Sequence, residues 1–196
     1  MVAELTPPGL SVQVRAWQHG PMTWTAPEIQ RVDAPFIADE RTMLDGWLDY
    51  HRQTLLHKCA GLTGDQLKIR AVEPSSLTLL GLVRHMAEVE RSWFRRRFAG
   101  EKIDFVYFNE DNLDTDADFD DVDAANAEAD LATFRAEVEL ARSVVAGRSL
   151  DETFLHPHRQ AEMDLRWVYV HMIEEYARHN GHADLIRERI DGRTGA

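Results

Sequence analysis

A helical hydrophobic pattern runs through residues 77–98, LTLLGLVRHMAEVERSWFRRRF. Its apolar side chains recur every three or four residues and therefore share one helix face. They are Leu79, Leu82, Val83, Met86, Val89 and Trp93. Ser75 and Ser76, after Pro74, are typical of a helix start, and Gly100 is typical of a helix end. The pattern predicts one long helix with one face in a protein core.

Three further segments show helical periodicity, at residues 38–59, about 123–146 and about 164–190. Residues 1–36 differ, because five of the seven prolines lie there and exclude a long helix. Within them, residues 11–17 alternate polar and apolar side chains, which favours a short edge strand. The sequence therefore predicts an all-α four-helix bundle at residues 37–192. A long crossover connection follows its second helix, and a partly irregular N-terminal arm, residues 1–36, precedes it.

The composition excludes several classes of protein. The 196 residues include 34 Asp and Glu against 22 Lys and Arg, a net charge of −12, whereas nucleic-acid surfaces need clustered basic groups. No apolar stretch has the length of a membrane span, and residues 1–9 lack a signal-peptide layout. The single cysteine, Cys59, cannot form an internal disulfide or a thiolate zinc cluster. We expect a cytoplasmic protein with neither a nucleic-acid nor a membrane partner.

An acidic run, EDNLDTDADFDDVD, occupies residues 110–123. Asp114, Asp116 and Asp118 have the spacing that begins a calcium-binding loop. However, Phe119 stands where such a loop needs glycine, and Ala125 stands where it needs a bidentate glutamate. We interpret the run as a solvated loop before the third helix, with Asp123 as the residue that caps it.

The strongest chemical feature is HMIEEYARHNGH at residues 171–182, on the last predicted helix. At about 100° per residue, four polar side chains share one side of this helix: His171, Glu175, His179 and His182. Imidazole and carboxylate ligands suit Zn²⁺, Fe²⁺, Ni²⁺ or Mn²⁺ better than Ca²⁺. A solvated polar face is the alternative reading. Gly181 costs about 1 kcal/mol relative to alanine inside a helix, which counts against a regular ligand face and favours the close approach of a neighbouring backbone.

A metal site also needs a ligand from another helix. His85 lies beside the apolar face of residues 77–98 and is the first candidate, while His51 and His57 are weaker ones. The alternative for His85 is a hydrogen-bonded core histidine. In addition, His156 and His158 lie before the last helix, where we expect a loop that lines the mouth of the site.

Two segments resemble the DinB superfamily. Residues 80–94, LGLVRHMAEVERSWF, resemble its second-helix motif, and residues 174–184, EEYARHNGHAD, resemble its last-helix motif. The similarity is greatest to an actinobacterial branch of unknown function. It implies a bundle with a divalent metal at one end, held by His85, Glu175 and His179. Glu175 replaces the family's usual histidine, but the related mycothiol-dependent maleylpyruvate isomerases hold zinc with a His, Glu, His set.

The resemblance implies zinc as the metal, with nickel, iron or manganese as alternatives, and a homodimer. It also implies a metal-dependent enzyme that uses a low-molecular-weight thiol such as mycothiol to transfer or isomerise a small molecule. His182 and His171 are then candidate catalytic acid–base groups, or simple surface histidines. A metal-dependent hydrolase and a non-catalytic binding or stress-response protein remain alternatives. Because Cys59 is interpreted as a core residue, any reactive thiol comes from a cosubstrate.

Overall fold

The computed structural model of the protein describes residues 23–108 and 116–195. The possible strand at residues 11–17 and part of the acidic run lie outside these residues. The described elements are α1 (Glu40–Cys59), α2 (Gly64–Leu67), α3 (Leu79–Glu90), α4 (Ala117–Asp120), α5 (Ala127–Val145), β1 (Thr153–His156), β2 (Ala161–Asp164) and α6 (Leu165–Asp191). A π-helical turn, Arg91–Phe98, continues α3. The prediction of a mainly helical fold is confirmed.

The expectation of an all-α protein was wrong in one detail. Strands β1 and β2 form an antiparallel hairpin in which Thr153 pairs with Asp164 and His156 pairs with Ala161. Gln160 ends the intervening loop with a φ of 49°, in the left-handed region. Each strand has only four residues, which is too short for a period-two pattern to stand out.

Each long helix begins at a polar side chain that accepts a hydrogen bond from a backbone N–H group three residues later. The four capping residues are Asp39, Thr78, Asn126 and Asp164. The predicted start of the second helix at Ser75 and Ser76 was therefore wrong, because Thr78 caps α3. The predicted cap at Asp123 was also wrong, because Asn126 caps α5.

One hydrophobic core receives side chains from all four long helices, including Leu55, Met86, Phe134 and Met172. Helix α1 packs along α6, and α3 packs along both α5 and α6. Residues 23–36 contain no helix or regular strand, but Ala26 exchanges backbone hydrogen bonds with Gly61 and Leu62, both 2.8 Å long. Among the described helices, none is long and apolar enough to cross a membrane.

Candidate metal centre

Helices α3 and α6 bring His85, Glu175 and His179 together. Glu175 and His179 lie one turn apart on α6, and His85 faces them from α3. Nε2 of His85 lies 3.5 Å from Oε1 of Glu175, and Nε2 of His179 lies 3.4 Å from the same oxygen. One possible ligand atom from each residue lies within 4.8 Å of the other two. The three residues therefore form a compact cluster, hereafter the His–Glu–His cluster.

The geometry of the His–Glu–His cluster fits a divalent metal. Zinc bonds of about 2.0–2.1 Å in a tetrahedral site place neighbouring ligand atoms roughly 3.4 Å apart. Nε2 of His85 is buried and makes no hydrogen bond within the described part of the chain. Its 3.5 Å contact with Glu175 is too long for a good hydrogen bond, and a metal ion between the two would satisfy this nitrogen. Three ligands also leave a fourth tetrahedral position for a substrate or water.

Asp118 on α4 fixes the other nitrogen of His85. Oδ2 of Asp118 lies 2.7 Å from Nδ1 of His85, and Asp118 is only 1% exposed. Burial works to lower the pKa of His85, but contacts with the Asp118 and Glu175 carboxylates outweigh it and raise the pKa to about 9. A carboxylate on Nδ1 turns Nε2 towards α6, the usual arrangement behind a metal-binding histidine.

Helix α4 is held firmly against α3. The Arg84 guanidinium donates hydrogen bonds to the carbonyl oxygens of Ala117 and Asp118, at 3.0 and 2.9 Å. Gly81 leaves room for Phe119, because a Cβ atom at Gly81 would lie 2.8 Å from Phe119 Cδ1. The Phe119 ring stacks on the His85 ring with centroids 5.1 Å apart. These contacts place Asp118 and Phe119 on His85.

The interpretation of residues 110–123 as only a solvated loop was therefore wrong at Asp118 and Phe119. Asp118 is buried, and Phe119 packs against the core. A signal was available in the sequence, since an aromatic residue within a run of acids indicates that the segment contacts the protein. Asp120 and Asp121 nearby are exposed, as the interpretation expected.

Glu175 is held in its charged form. Its contacts with His179 and then with His85 lower the pKa of its carboxyl group well below the usual range. Nη1 of Arg178 lies 3.6 Å from its second oxygen, Oε2. An ionised carboxylate is the form that binds a metal cation.

The two histidines considered as catalytic candidates lie on either side of this cluster along α6. Nδ1 of His182 lies 3.4 Å from Nδ1 of His179. His171 lies one turn before Glu175, and its ring stacks on Trp167 with centroids 5.1 Å apart. Burial lowers the pKa of His171 and of His182. His171 also forms a second group of possible ligands with Glu174 and Glu175.

The remaining residues singled out in the sequence lie outside the His–Glu–His cluster. The carbonyl oxygen of His51 accepts a hydrogen bond of 3.0 Å from Asn180, and neither His51 nor His57 belongs to a described metal-ligand group. His156 is not in a loop, because it ends β1, where it is buried against Trp93. The expected close approach at Gly181 was wrong, since no described atom lies within 4 Å of a Cβ built there.

A mainly helical fold that sets a His, Glu, His cluster between two long helices defines a DinB-like protein with a candidate metal centre. The model of the mycothiol-S-transferase family, a DinB-like family, matches residues 43–192, and the chain belongs to that family. The resemblance to the DinB superfamily is thereby confirmed. The matched residues include the whole His–Glu–His cluster and Asp118. No curated protein matches the chain.

Proposed function

We propose that the protein is a divalent-metal-dependent transferase that joins a mycothiol-type thiol to a small electrophilic molecule. The observation that carries the proposal is the buried Nε2 of His85, which makes no hydrogen bond to a described residue and lies with Glu175 and His179 at ligand spacing. Membership in the mycothiol-S-transferase family supports the thiol and the transfer reaction.

The proposed scaffold is a DinB-like four-helix bundle of α1, α3, α5 and α6, covering residues 37–192 after an arm at residues 1–36. The core that these four helices share supports this assignment. The candidate metal centre lies between α3 and α6, so the packing of the two helices sets the separation of the ligands.

In the proposed mechanism, His85, Glu175 and His179 hold the ion, expected to be zinc, with nickel, iron or manganese as alternatives. When bound, such an ion would act as a Lewis acid and lower the pKa of a thiol. Asp118 keeps Nε2 of His85 aimed at the site through its 2.7 Å contact with Nδ1. His182 does the same for His179 through the contact between their Nδ1 atoms.

His171 and His182 are the candidates to accept the thiol proton, since both lie within one turn of a proposed ligand. The sulfur lone pair then forms a C–S bond with the electrophilic carbon, and the leaving group departs with its bonding electrons. The thiol itself comes from a cosubstrate. Cys59 supports this, because burial raises the pKa of its thiol to about 12 and leaves it fully enclosed.

The test combines metal analysis with a thiol-dependent assay. We expect protein purified without chelators to hold or take up one zinc ion per chain and to consume mycothiol with an electrophile. His179→Ala should lose both properties, whereas a control substitution at an exposed position of the same helix, Glu188→Ala, should keep them. Wild-type protein that takes up no divalent metal would contradict the proposal. Turnover of esters or amides without thiol would instead indicate a hydrolase.

We also propose that two copies form a homodimer. Phe36 and Ile37 are 92% and 95% exposed, and Trp47 nearby is 45% exposed, so an apolar patch is open to solvent. Light scattering should give about twice the chain mass of 22.5 kDa. A mass of one chain at micromolar concentration would rule out this assembly.

A further inference from the structure

Arg97 is a partly buried arginine without an acidic partner. In the part of the chain that the structure describes, no carboxylate or carbonyl oxygen accepts a hydrogen bond from its guanidinium. Its two neighbours differ, because Arg95 pairs with Glu101 and Glu137, and Arg96 donates to the Ile103 carbonyl. The chain has 34 acidic residues, yet none of those described pairs with Arg97. The N–H donors of its guanidinium are therefore available to a ligand.

The position of Arg97 is nevertheless fixed by stacking. Its Cζ atom lies 4.6 Å from the centroid of the Trp93 ring, which is a cation–π contact. Stacking uses the face of the guanidinium and leaves its N–H edge available for a planar anion. Two acids that precede this pair in sequence are already engaged. The Glu88 carboxylate accepts from the backbone N–H groups of Val106 and Tyr107, and the Glu90 carboxylate accepts from Arg52 and Tyr176.

The surroundings of Arg97 are positively charged. Burial lowers the pKa of His156, and the charges of Arg97 and Arg159 lower it further. Arg97 also lines a cavity of about 490 Å³, in the size range of small-molecule sites. Basic residues around that cavity include Arg96, Lys102 and His158, while the acids are Asp104 and the Arg95-bound Glu101.

A continuous row of aromatic contacts joins Arg97 to the candidate metal centre. The Trp93 ring, under Arg97, meets the His171 ring edge-on with centroids 4.5 Å apart. The other side of His171 stacks on Trp167, whose exposed fraction is 38%. His171 in turn lies one turn from Glu175 and has a ring nitrogen within 4.8 Å of a Glu175 oxygen. Trp93 is itself buried, at 7% exposed, so the part of this row that is open to a ligand is Trp167 with the half-buried His171.

We propose that Arg97 binds the carboxylate of the electrophilic substrate, whose planar apolar part lies against Trp167 and His171. The inference rests on the proposed function and names its substrate class: unsaturated or aromatic carboxylates that carry the leaving group on the electrophilic carbon. The guanidinium supplies two parallel N–H donors to the carboxylate, and the rings supply the apolar contact. The reacting carbon is then directed towards the His–Glu–His cluster.

The test compares two probes of nearly the same shape, 4-fluorobenzoate and the neutral 4-fluorobenzamide, by fluorine NMR titration of zinc-treated protein. Wild type should bind the carboxylate at least about tenfold more tightly than the amide, as expected for a hydrogen bond between charged groups. Arg97→Gln should abolish that preference, and Arg97→Lys should keep only part of it. The matched control is Arg135→Gln at an exposed position on α5, which should bind both probes as wild type does.

The same titration separates this inference from the proposed function. In His179→Ala, the preference for the carboxylate should persist even if that variant holds no metal, because Arg97 remains. If wild type binds both probes equally, the inference is wrong. It is also wrong if the preference survives Arg97→Gln and disappears in His179→Ala, because the carboxylate would then bind the metal. Thermal melting of each variant verifies that the comparison is made on folded protein.

Discussion

Asp118 contacts Nδ1 of His85 at 2.7 Å, and this contact determines which ring nitrogen faces α6. Because the carboxylate is buried, it acts on the imidazole with little screening by water. A histidine held in this way presents Nε2 in one orientation before any metal arrives. The candidate centre therefore consists of four side chains: the three of the His–Glu–His cluster and Asp118, which contacts the far side of His85.

We expect Asp118→Asn to weaken zinc binding by about 10–100-fold, the usual effect of removing a carboxylate behind a ligating histidine. The asparagine keeps the shape of the side chain but loses the charge. A competition titration against a chromophoric zinc chelator measures the change. Asp120→Asn is the matched control, because Asp120 lies on the same helix and is exposed. Equal zinc affinity for Asp118→Asn and wild type would contradict this account.

Cys59 provides a second prediction at the residue scale. Its thiol is fully buried at the end of α1, and burial raises its pKa to about 12, so the reactive thiolate is scarce at neutral pH. Ellman's reagent should therefore leave the folded protein unlabelled over minutes and should label one thiol per chain in urea. Rapid labelling of the folded protein would show that Cys59 is accessible, and the argument for an external thiol would lose its support.

At the scale of elements, hydrophobic periodicity predicted the four long helices because each buries one face in the core. The last helix, predicted from about residue 164 to 190, is α6, Leu165–Asp191. Periodicity could not identify α4 or the hairpin, since four residues are too few to repeat a pattern. Nor did it indicate that α3 continues as a π-helix at Arg91. The apolar residues of that segment are buried in the π-helix, as they would be in an α-helix.

Two glycines within helices allow opposite predictions for the same substitution. Gly81→Ala should destabilise the protein by about 1–3 kcal/mol, because its Cβ would lie 2.8 Å from Phe119 Cδ1 and overpack the contact with α4. Gly181→Ala should stabilise it by about 0.5–1 kcal/mol, because nothing described lies near that position and alanine favours a helix. Urea denaturation measures both free energies of unfolding. A stabilising Gly81→Ala would show that α4 does not pack closely there.

At the scale of the whole molecule, the sequence was informative where one helix carried several groups of the site. Glu175 and His179 share a face of α6 with His171 and His182, so their spacing indicated a possible site. His85 was the first candidate for a ligand from another helix, and the resemblance assigned it to the ligand set. Asp118 lies 33 residues from His85 along the chain, and no periodic signal marks a contact of that kind. The same reason explains why Trp93 could not be placed beside His171, whereas Trp167 lies one turn before His171 on α6 and could have been.

A buried polar network joins three of the long helices beneath the candidate centre. Arg52 on α1 donates two hydrogen bonds of 2.7 Å to Glu90 on α3, and the Tyr176 hydroxyl on α6 donates another of 2.7 Å. All three side chains are buried, and Tyr176 follows the proposed ligand Glu175. The network therefore holds α6 against α3 next to the His–Glu–His cluster.

Glu90→Ala should destabilise the protein by about 3–5 kcal/mol, because the buried Arg52 would face a cavity and would keep only the partly exposed Asp49, at 2.9 Å, as an acidic partner. Glu139→Ala is the control, since it breaks an exposed ion pair with Arg142 and should change the free energy of unfolding by less than about 1 kcal/mol. The double variant Arg52→Met, Glu90→Leu should recover much of the loss, because it removes the charge along with its partner. Urea denaturation measures all three. A double variant as unstable as Glu90→Ala would mean that lost packing, and not the loss of Arg52's buried partner, causes the destabilisation.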